Sequence, residues 1–193
     1  LGAVINCGKD DYRLMTGNQS GALILHYILT RMTEQDCLPD NAVMINTVVT
    51  STLGDRVAEA FGVKVEKTLT GFKFIGDKIK QHERTDGKKF VFGYEESYGC
   101  LAGTHARDKD AIVAVMCLCE VAAYCKKNNQ TLWDMMLEMY EAYGYFKETQ
   151  YTITLKGIDG SKQIAAIMDK LRQNPPKMIG DAQVLKFRDY QED

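Results

Sequence analysis

Proline is scarce, three residues in 193, which excludes long polyproline linkers. Cysteine occurs six times, at 7, 37, 100, 117, 119 and 125, yet no two form a Cys-x-x-Cys pair. Cys117 and Cys119 sit two apart in a helical pattern and so face different directions. The three histidines, at 26, 82 and 105, are scattered. No zinc spacing results. The thiols read as buried free cysteines of a cytosolic protein. A basic excess is also missing: 24 Lys and Arg stand against 26 Asp and Glu, a net charge of −2. That balance argues against a nucleic-acid partner. No apolar run approaches the roughly 20 residues of a membrane helix; Ala111–Cys119, among the longest, stops at Glu120. No basic segment followed by an apolar one marks a secretory signal.

What is present suits a folded core. The composition is 45% hydrophobic, too apolar for disorder at this low net charge. Leu1–Asn6 and Tyr12–Met15, about the turn Gly8–Asp11, predict a hairpin. The chain thus opens inside a strand, and a piece of a longer polypeptide is expected. Asn18 is expected to cap a helix that ends before Pro39. Ala42–Val49 predicts a buried strand, and Arg56–Phe61 a short helix. Val63–Leu69 alternates as a strand with one polar face. Helix is expected again from Gly71 to about Lys80, strand at Lys89–Phe92, then loop to Arg107. Helices follow at Lys109–Lys127 and Thr131–Tyr143, a strand at Tyr145–Leu155, a helix at Ser161–Gln173 and a last strand at Ala182–Phe187. Trp133, Met135, Met136, Met139, Tyr140 and Tyr143 recur at helical spacing as core, and His26 reads as structural.

This alternation predicts an α/β fold: a three-layer domain whose mixed, largely parallel sheet of about four strands lies between helices, with partial flanking segments. Ligands of such sheets sit beyond the carboxyl ends of the strands. Those ends are Thr50–Gly54, Thr70–Lys73 and Gly93–Gly99, all rich in glycine and hydroxyls. In Gly93–Gly99 an extended backbone would aim Glu95 and Ser97 to one side, about 6–7 Å apart, and Glu96 to the other. A carboxylate and a hydroxyl so spaced suit neighbouring hydroxyls of a sugar ring. In His105–Asp110, Asp108 reads as the cap of the long helix, with Lys109 and Asp110 in its first turn. Lys109 there is a candidate anion or proton-transfer group. Backbone N–H groups at Gly71, with Lys73, are candidates to meet an anionic or hydroxylated ligand. Asp55 and Arg56 read as a helix start and an exposed ion pair. A nucleotide-binding domain is disfavoured, because neither a G-x-G-x-x-G nor a P-loop pattern follows a strand.

Thr16-Gly17-Asn18-Gln19, Thr68–Ile79 (TLTGFKFIGDKI), Gly93–Gly99 (GYEESYG) and His105–Asp110 (HARDKD) together resemble the α-D-phosphohexomutase superfamily, its bacterial-type phosphoglucomutases and phosphomannomutases most of all. The likeness covers nearly the whole chain, more loosely after Gly144. It implies a four-domain cytoplasmic enzyme that moves a phosphoryl group between the 1- and 6-positions of glucose or mannose. The reaction passes through a bisphosphorylated sugar such as glucose 1,6-bisphosphate, with Mg²⁺ and a phosphoserine. It implies residues 1–17 as the tail of the second domain, 18–145 as the third, sugar-binding domain, and 146–193 as an extension toward a fourth. It further implies Glu95 and Ser97 as contacts to sugar hydroxyls, Thr70 and Gly71 in a second recognition loop, Lys109 in proton transfer and Arg107 beside the substrate. The partners implied are a hexose phosphate and the other domains of the same polypeptide. The phosphoserine loop, the Asp-x-Asp-x-Asp-Arg metal loop and the phosphate-binding loop of the family are not found in these 193 residues. A noncatalytic ligand-binding or interaction module on the same fold is the competing reading.

Phosphoryl transfer needs metal, nucleophile and phosphate clamp together. The chain by itself is therefore expected to show no turnover of glucose 1-phosphate in a coupled assay with Mg²⁺, and a measurable rate would refute the implied division of labour.

Overall fold

The computed structural model describes residues 2–8, 10–85, 87–148 and 153–190. The chain divides into two compact units, 1–148 and 149–193. In the first, β1 (Ala3–Asn6) and β2 (Tyr12–Met15) form the expected hairpin. Helix α1 (Gly17–Glu34) follows, then β3 (Ala42–Thr47), α2 (Leu53–Ala60), β4 (Lys64–Thr68), α3 (Phe72–Arg84), β5 (Lys89–Tyr94), β6 (Cys100–Ala102), α4 (Ala111–Lys127) and α5 (Leu132–Tyr143). The second unit holds α6 (Gly157–Gln173) and a two-stranded β7 (Met178–Ile179) and β8 (Ala182–Gln183). Among the described residues no helix is long and apolar enough to cross a membrane.

The sheet runs β4-β3-β5-β6, with β3 parallel to both β4 and β5 and β6 antiparallel to β5. It is the mixed, largely parallel four-stranded sheet that the alternation predicts. Side chains of β3 separate by parity. Val43 and Ile45 pack with Phe72, Ile75 and Ile79 of α3. Met44 packs with residues of α1, α2, α4 and α5. Three layers result, four helices on one face and α3 on the other. In the β3–β5 pairing Val43 faces Phe90 but Met44 faces Phe92, so Val91 is an extra residue. That bulge places both Val91 and Phe92 in the core beneath α1 and leaves Phe90 with α3.

Several expectations need correction. Thr16, not Asn18, caps α1: its hydroxyl accepts from Gln19 N at 3.2 Å, while Gln19 Oε1 accepts from Thr16 N at 3.0 Å, a capping box. The stretch expected as loop to Arg107 contains β6, three residues too short to show a period. The described parts of Tyr145–Leu155 carry no strand, residues 149–152 lie outside the described residues, and Ala182–Phe187 is a strand only over Ala182–Gln183. Asp55 pairs with Lys67 at 2.8 Å and Arg56 with Glu59 at 3.3 Å, not with each other. All six cysteines are free, but Cys37 and Cys119 are exposed and only Cys100 and Cys125 are fully buried. The α5 methionines are core, as expected. His26 meets Phe61 and Tyr143 edge-on, and burial lowers its pKa.

Tyr94, at the end of β5, fixes how closely α1 and α2 approach the sheet. Its ring is fully buried. A Cβ at Gly21 would overlap the ring, and one at Gly54 would overlap Oη. Glycine is required at both positions for want of space. The hydroxyl faces Asn46 and Gly54, yet neither it nor Asn46 Oδ1 makes a well-formed hydrogen bond. Burial, followed by the Asp55 charge, pushes the phenol pKa far up. Gly54→Ala is expected to cost about 1–3 kcal/mol by overpacking. Tyr94→Phe loses no well-formed bond and is expected to stay within about 1 kcal/mol of the parent. Urea unfolding of the two variants measures both.

Candidate functional site

Because β3, β4 and β5 run parallel, their carboxyl ends share one rim of the sheet. The helices that follow β3 and β4, α2 and α3, therefore begin there. Helix α1 begins there too: a Cβ at Gly17 would overlap the carbonyl oxygen of Glu96. So does α4, whose cap Asp110 donates its N–H to Cys100 O at 3.0 Å, beside the end of β5. Four helix N-termini, each with N–H groups lacking intrahelical partners, thus border one rim.

Glu95 is the first residue past β5. It is only 4% exposed. Its Oε1 accepts the Gly71 N–H at 2.8 Å, and among the described residues Oε2 has no hydrogen-bond partner. Gly71 precedes α3 with φ 120° and ψ 121°, a conformation that side chains with a Cβ avoid. The loop after β4 is thereby bonded to the loop after β5. Thr70, next to Gly71, is exposed.

From Glu95 the backbone does not continue extended. Glu96 and Ser97 form a turn, Tyr98 takes φ 70°, and Glu95 N donates to Gly99 O at 2.8 Å. The extended-strand spacing expected for Glu95 and Ser97 therefore does not describe this segment. Ser97 is exposed on the turn. Glu96 diverges from Glu95, as expected, and its Oε2 accepts from Thr47 Oγ1 and Thr50 Oγ1 at 3.3 Å each.

Lys109 comes to the same rim. Its Cδ lies 2.8 Å from where a Cβ of Gly99 would stand, and its Nζ is 5.6 Å from the centre of the Phe72 ring. Nζ also pairs with Asp108 at 3.1 Å, and the Lys109 side chain is 53% exposed. The cap of α4 is Asp110, not Asp108: Asp110 Oδ1 accepts from Ile112 N at 2.9 Å and Val113 N at 3.1 Å. Lys109 therefore precedes the helix rather than lying in its first turn. The hydrogen bond from His105, then the backbone donors, lower the Asp110 pKa. Backbone and side-chain bonds from Lys109 lower that of Asp108.

Arg107 is placed apart from these groups. Its Nη2 bonds both oxygens of Glu83 at 2.7 Å, and its Nη1 bonds Thr104 O at 2.6 Å. Glu83 is eleven residues beyond Phe72 on α3, roughly 16 Å along a helix. The guanidinium thus sits toward the far end of α3. The Arg107 backbone lies against α3, where a Cβ at Gly76 would overlap its carbonyl oxygen.

Residues 16–143 match the family model for phosphoglucomutase/phosphomannomutase, alpha/beta/alpha domain III. The chain belongs to this family. Over 190 residues it is 37% identical to a phosphoglucomutase of Staphylococcus saprophyticus, covering 98% of this chain and 34% of that protein. Over 174 residues it is also 37% identical to a phosphoglucomutase of Staphylococcus aureus strain COL, covering 90% and 30%. The chain thus spans about a third of the length of these curated relatives. Among solved structures, the parafusin phosphoglucomutase of Paramecium in its open form superposes with a TM-score of 0.53 at 26% identity, over 68% of this chain and 21% of that one. A Thermus thermophilus protein described as a phosphomannomutase superposes with a TM-score of 0.54 at 22% identity, over 68% and 26%, a likeness of fold.

The third-domain match begins at Thr16, and the geometry explains that start. Each residue of Thr16–Gln19 supports the rim. Thr16 and Gln19 cap α1, Gly17 lets Glu96 approach, and Asn18 Oδ1 accepts from Ser51 N at 3.1 Å. Gln19 Nε2 also donates to Tyr140 Oη at 3.1 Å. Thr47 was not singled out from sequence; Asn18 was read only as a helix cap, Glu96 only as diverging from Glu95, and Thr50 only as the start of a hydroxyl-rich strand end, which was the available signal. Gly71→Ala is expected to cost about 1–3 kcal/mol, because alanine is strained at that φ, and to weaken the Glu95 hydrogen bond. Denaturant unfolding measures the first. Amide exchange at residue 71 measures the second, and protection equal to the parent's would contradict it.

Proposed function

We propose that this chain is the sugar-recognition domain of a longer phosphohexomutase that interconverts hexose 1-phosphate and hexose 6-phosphate. One observation carries the reading. Glu95 is a nearly buried carboxylate with one oxygen satisfied by Gly71 N–H and the other, among the described residues, without a protein donor. A carboxylate in such a place gains from a second hydrogen bond, and a sugar hydroxyl is a neutral donor of the right kind. In this reading Glu95 Oε2 accepts from one ring hydroxyl, and Ser97 Oγ, exposed on the same turn, exchanges a hydrogen bond with another. Thr70 offers a hydroxyl beside Gly71, whose own N–H is already committed to holding Glu95. Lys109 Nζ is the candidate to move a proton at the reacting sugar oxygen. Arg107, proposed from the same motif, reaches substrate only if its pair with Glu83 opens.

Mg²⁺, a phosphoserine, a bisphosphorylated sugar and a cytoplasmic setting are proposed for the complete polypeptide. So is a domain arrangement in which residues 1–17 end a second domain, 18–145 form the third and 146–193 lead toward a fourth. Among the described residues no three His, Cys, Asp or Glu side chains come together as a metal ion would require.

In the complete polypeptide, Glu95→Gln and Ser97→Ala are each expected to lower kcat/KM by about 10- to 100-fold through lost or unpaired hydrogen bonds. Lys109→Ala is expected to lower kcat more than it raises KM. Unchanged kcat/KM in both Glu95→Gln and Ser97→Ala would remove the sugar-site assignment and favour a noncatalytic module.

A further inference from the structure

Two neighbouring carboxylates leave the β5 end in different directions, and only one of them is accounted for by sugar recognition. We propose that Glu96 is a positioning residue: by accepting from the hydroxyls of Thr47 and Thr50 it fixes the turn on which Glu95 and Ser97 are presented. This rests on the reading of Glu95 and Ser97 as sugar contacts.

The turn is poorly held by its own backbone. One bond, Glu95 N to Gly99 O, closes it. Tyr98 takes positive φ without being glycine, which costs free energy unless the surroundings enforce it. Glu95 ties the turn toward Gly71 and the start of α3. The tie on the β3 side is Glu96.

That tie reaches into the interior. Thr47 and Thr50 are buried. Their Oγ1 atoms lie 2.8 Å apart, and Thr50 Oγ1 also accepts from Thr47 N at 3.3 Å. With the two contacts to Glu96, three oxygen pairs share only two hydroxyl protons. Whichever way the protons are arranged, the ionised carboxylate has none to give and is the terminal acceptor. The contacts to Glu96 are long for hydroxyl–carboxylate bonds, which favour about 2.5–2.7 Å, so the tether needs both threonines. It also sits where ligands of such sheets bind. The chain leaves β3 toward β4 on one side and β5 toward β6 on the other, and the crevice between such diverging strands is the binding position of open α/β sheets. Glu96 spans it, and Gly17 lets its backbone come against α1.

The role is one of acceptor geometry, not of charge on the substrate, and that separates it from a contact role. In the complete polypeptide, Glu96→Ala and Thr50→Val are each expected to lower kcat/KM for hexose phosphate about tenfold. Glu96→Gln, which keeps an acceptor oxygen, is expected to stay within about twofold of the parent. The double variant Glu96→Ala/Thr50→Val is expected to be little worse than either single one, because one tether is cut in each case. Thermal unfolding of the same proteins separates folding from function. A lowered Tm with unchanged kcat/KM in Glu96→Ala and Thr50→Val would overturn the proposal. So would a Glu96→Gln loss as large as that of Glu96→Ala, which would mean that the charge itself acts. Glu95→Gln and Ser97→Ala run in parallel: if they leave kcat/KM unchanged the sugar reading fails and takes this role with it, whereas if they lower it and the Glu96 and Thr50 variants do not, only the positioning role fails.

Discussion

A carboxylate taken almost out of water must find donors, and the bond from Gly71 N–H to Glu95 is the donor around which this rim is arranged. It exists because three conditions coincide. The parallel strands β4 and β5 bring their following loops to one edge. The start of α3 leaves N–H groups without intrahelical acceptors. Residue 71, being glycine, can adopt the φ that turns its N–H toward the acid. Remove any of these and Glu95 is left in a poorly solvated place without its protein donor, which costs free energy.

The same rim is braced from the opposite face. Tyr94 fills the space that two glycines leave open and sets the spacing of α1 and α2 against the sheet. Asn18 and Ser51 bond the first turn of α1 to the loop after β3. Beneath them Asn46 Nδ2 donates to Asp55 Oδ1 at 2.9 Å, and Asp55 pairs with Lys67 at 2.8 Å. Polar side chains therefore join the ends of all three parallel strands. Hydrogen bonds constrain direction as well as distance, so a rim tied in this way holds loop positions more closely than apolar packing would.

Much of this was legible in the residues. β3, α1, α3, α4 and α5 follow from period and composition, because each is long enough to show a face. β6 was not legible: three residues bounded by glycine and loop have no period, and the strand exists because β5 offers an edge. The caps of α1 and α4 were misplaced by two residues in each case, since Thr16 and Asn18, or Asp108 and Asp110, are equally good cap types and only the start of the helix decides between them. The divergence of Glu95 from Glu96 was readable from their adjacency. The turn that actually directs them was not, because its geometry depends on Gly99 and on threonines nearly fifty residues earlier. The rim as a place was legible from strand alternation, its internal wiring from no local pattern.

The electrostatics of the rim limit which part of a sugar phosphate it can read. Glu95 and Glu96 bring two acids to one turn, and the nearby Lys109 is already paired with Asp108. Unit charges about 4 Å apart interact by about 1 kcal/mol in water and by several times that near a protein surface. A phosphate dianion placed beside these carboxylates would be repelled on that scale, whereas a hydroxyl would be attracted as a donor. Under the proposed function, then, the ring meets these two carboxylates with its hydroxyls and carries its phosphate away from them. A surface that recognises hydroxyls and shuns phosphate need not distinguish which end of the sugar bears the phosphoryl group, and indifference of that kind is what a domain must have if the same ring is to be held before and after the group has moved.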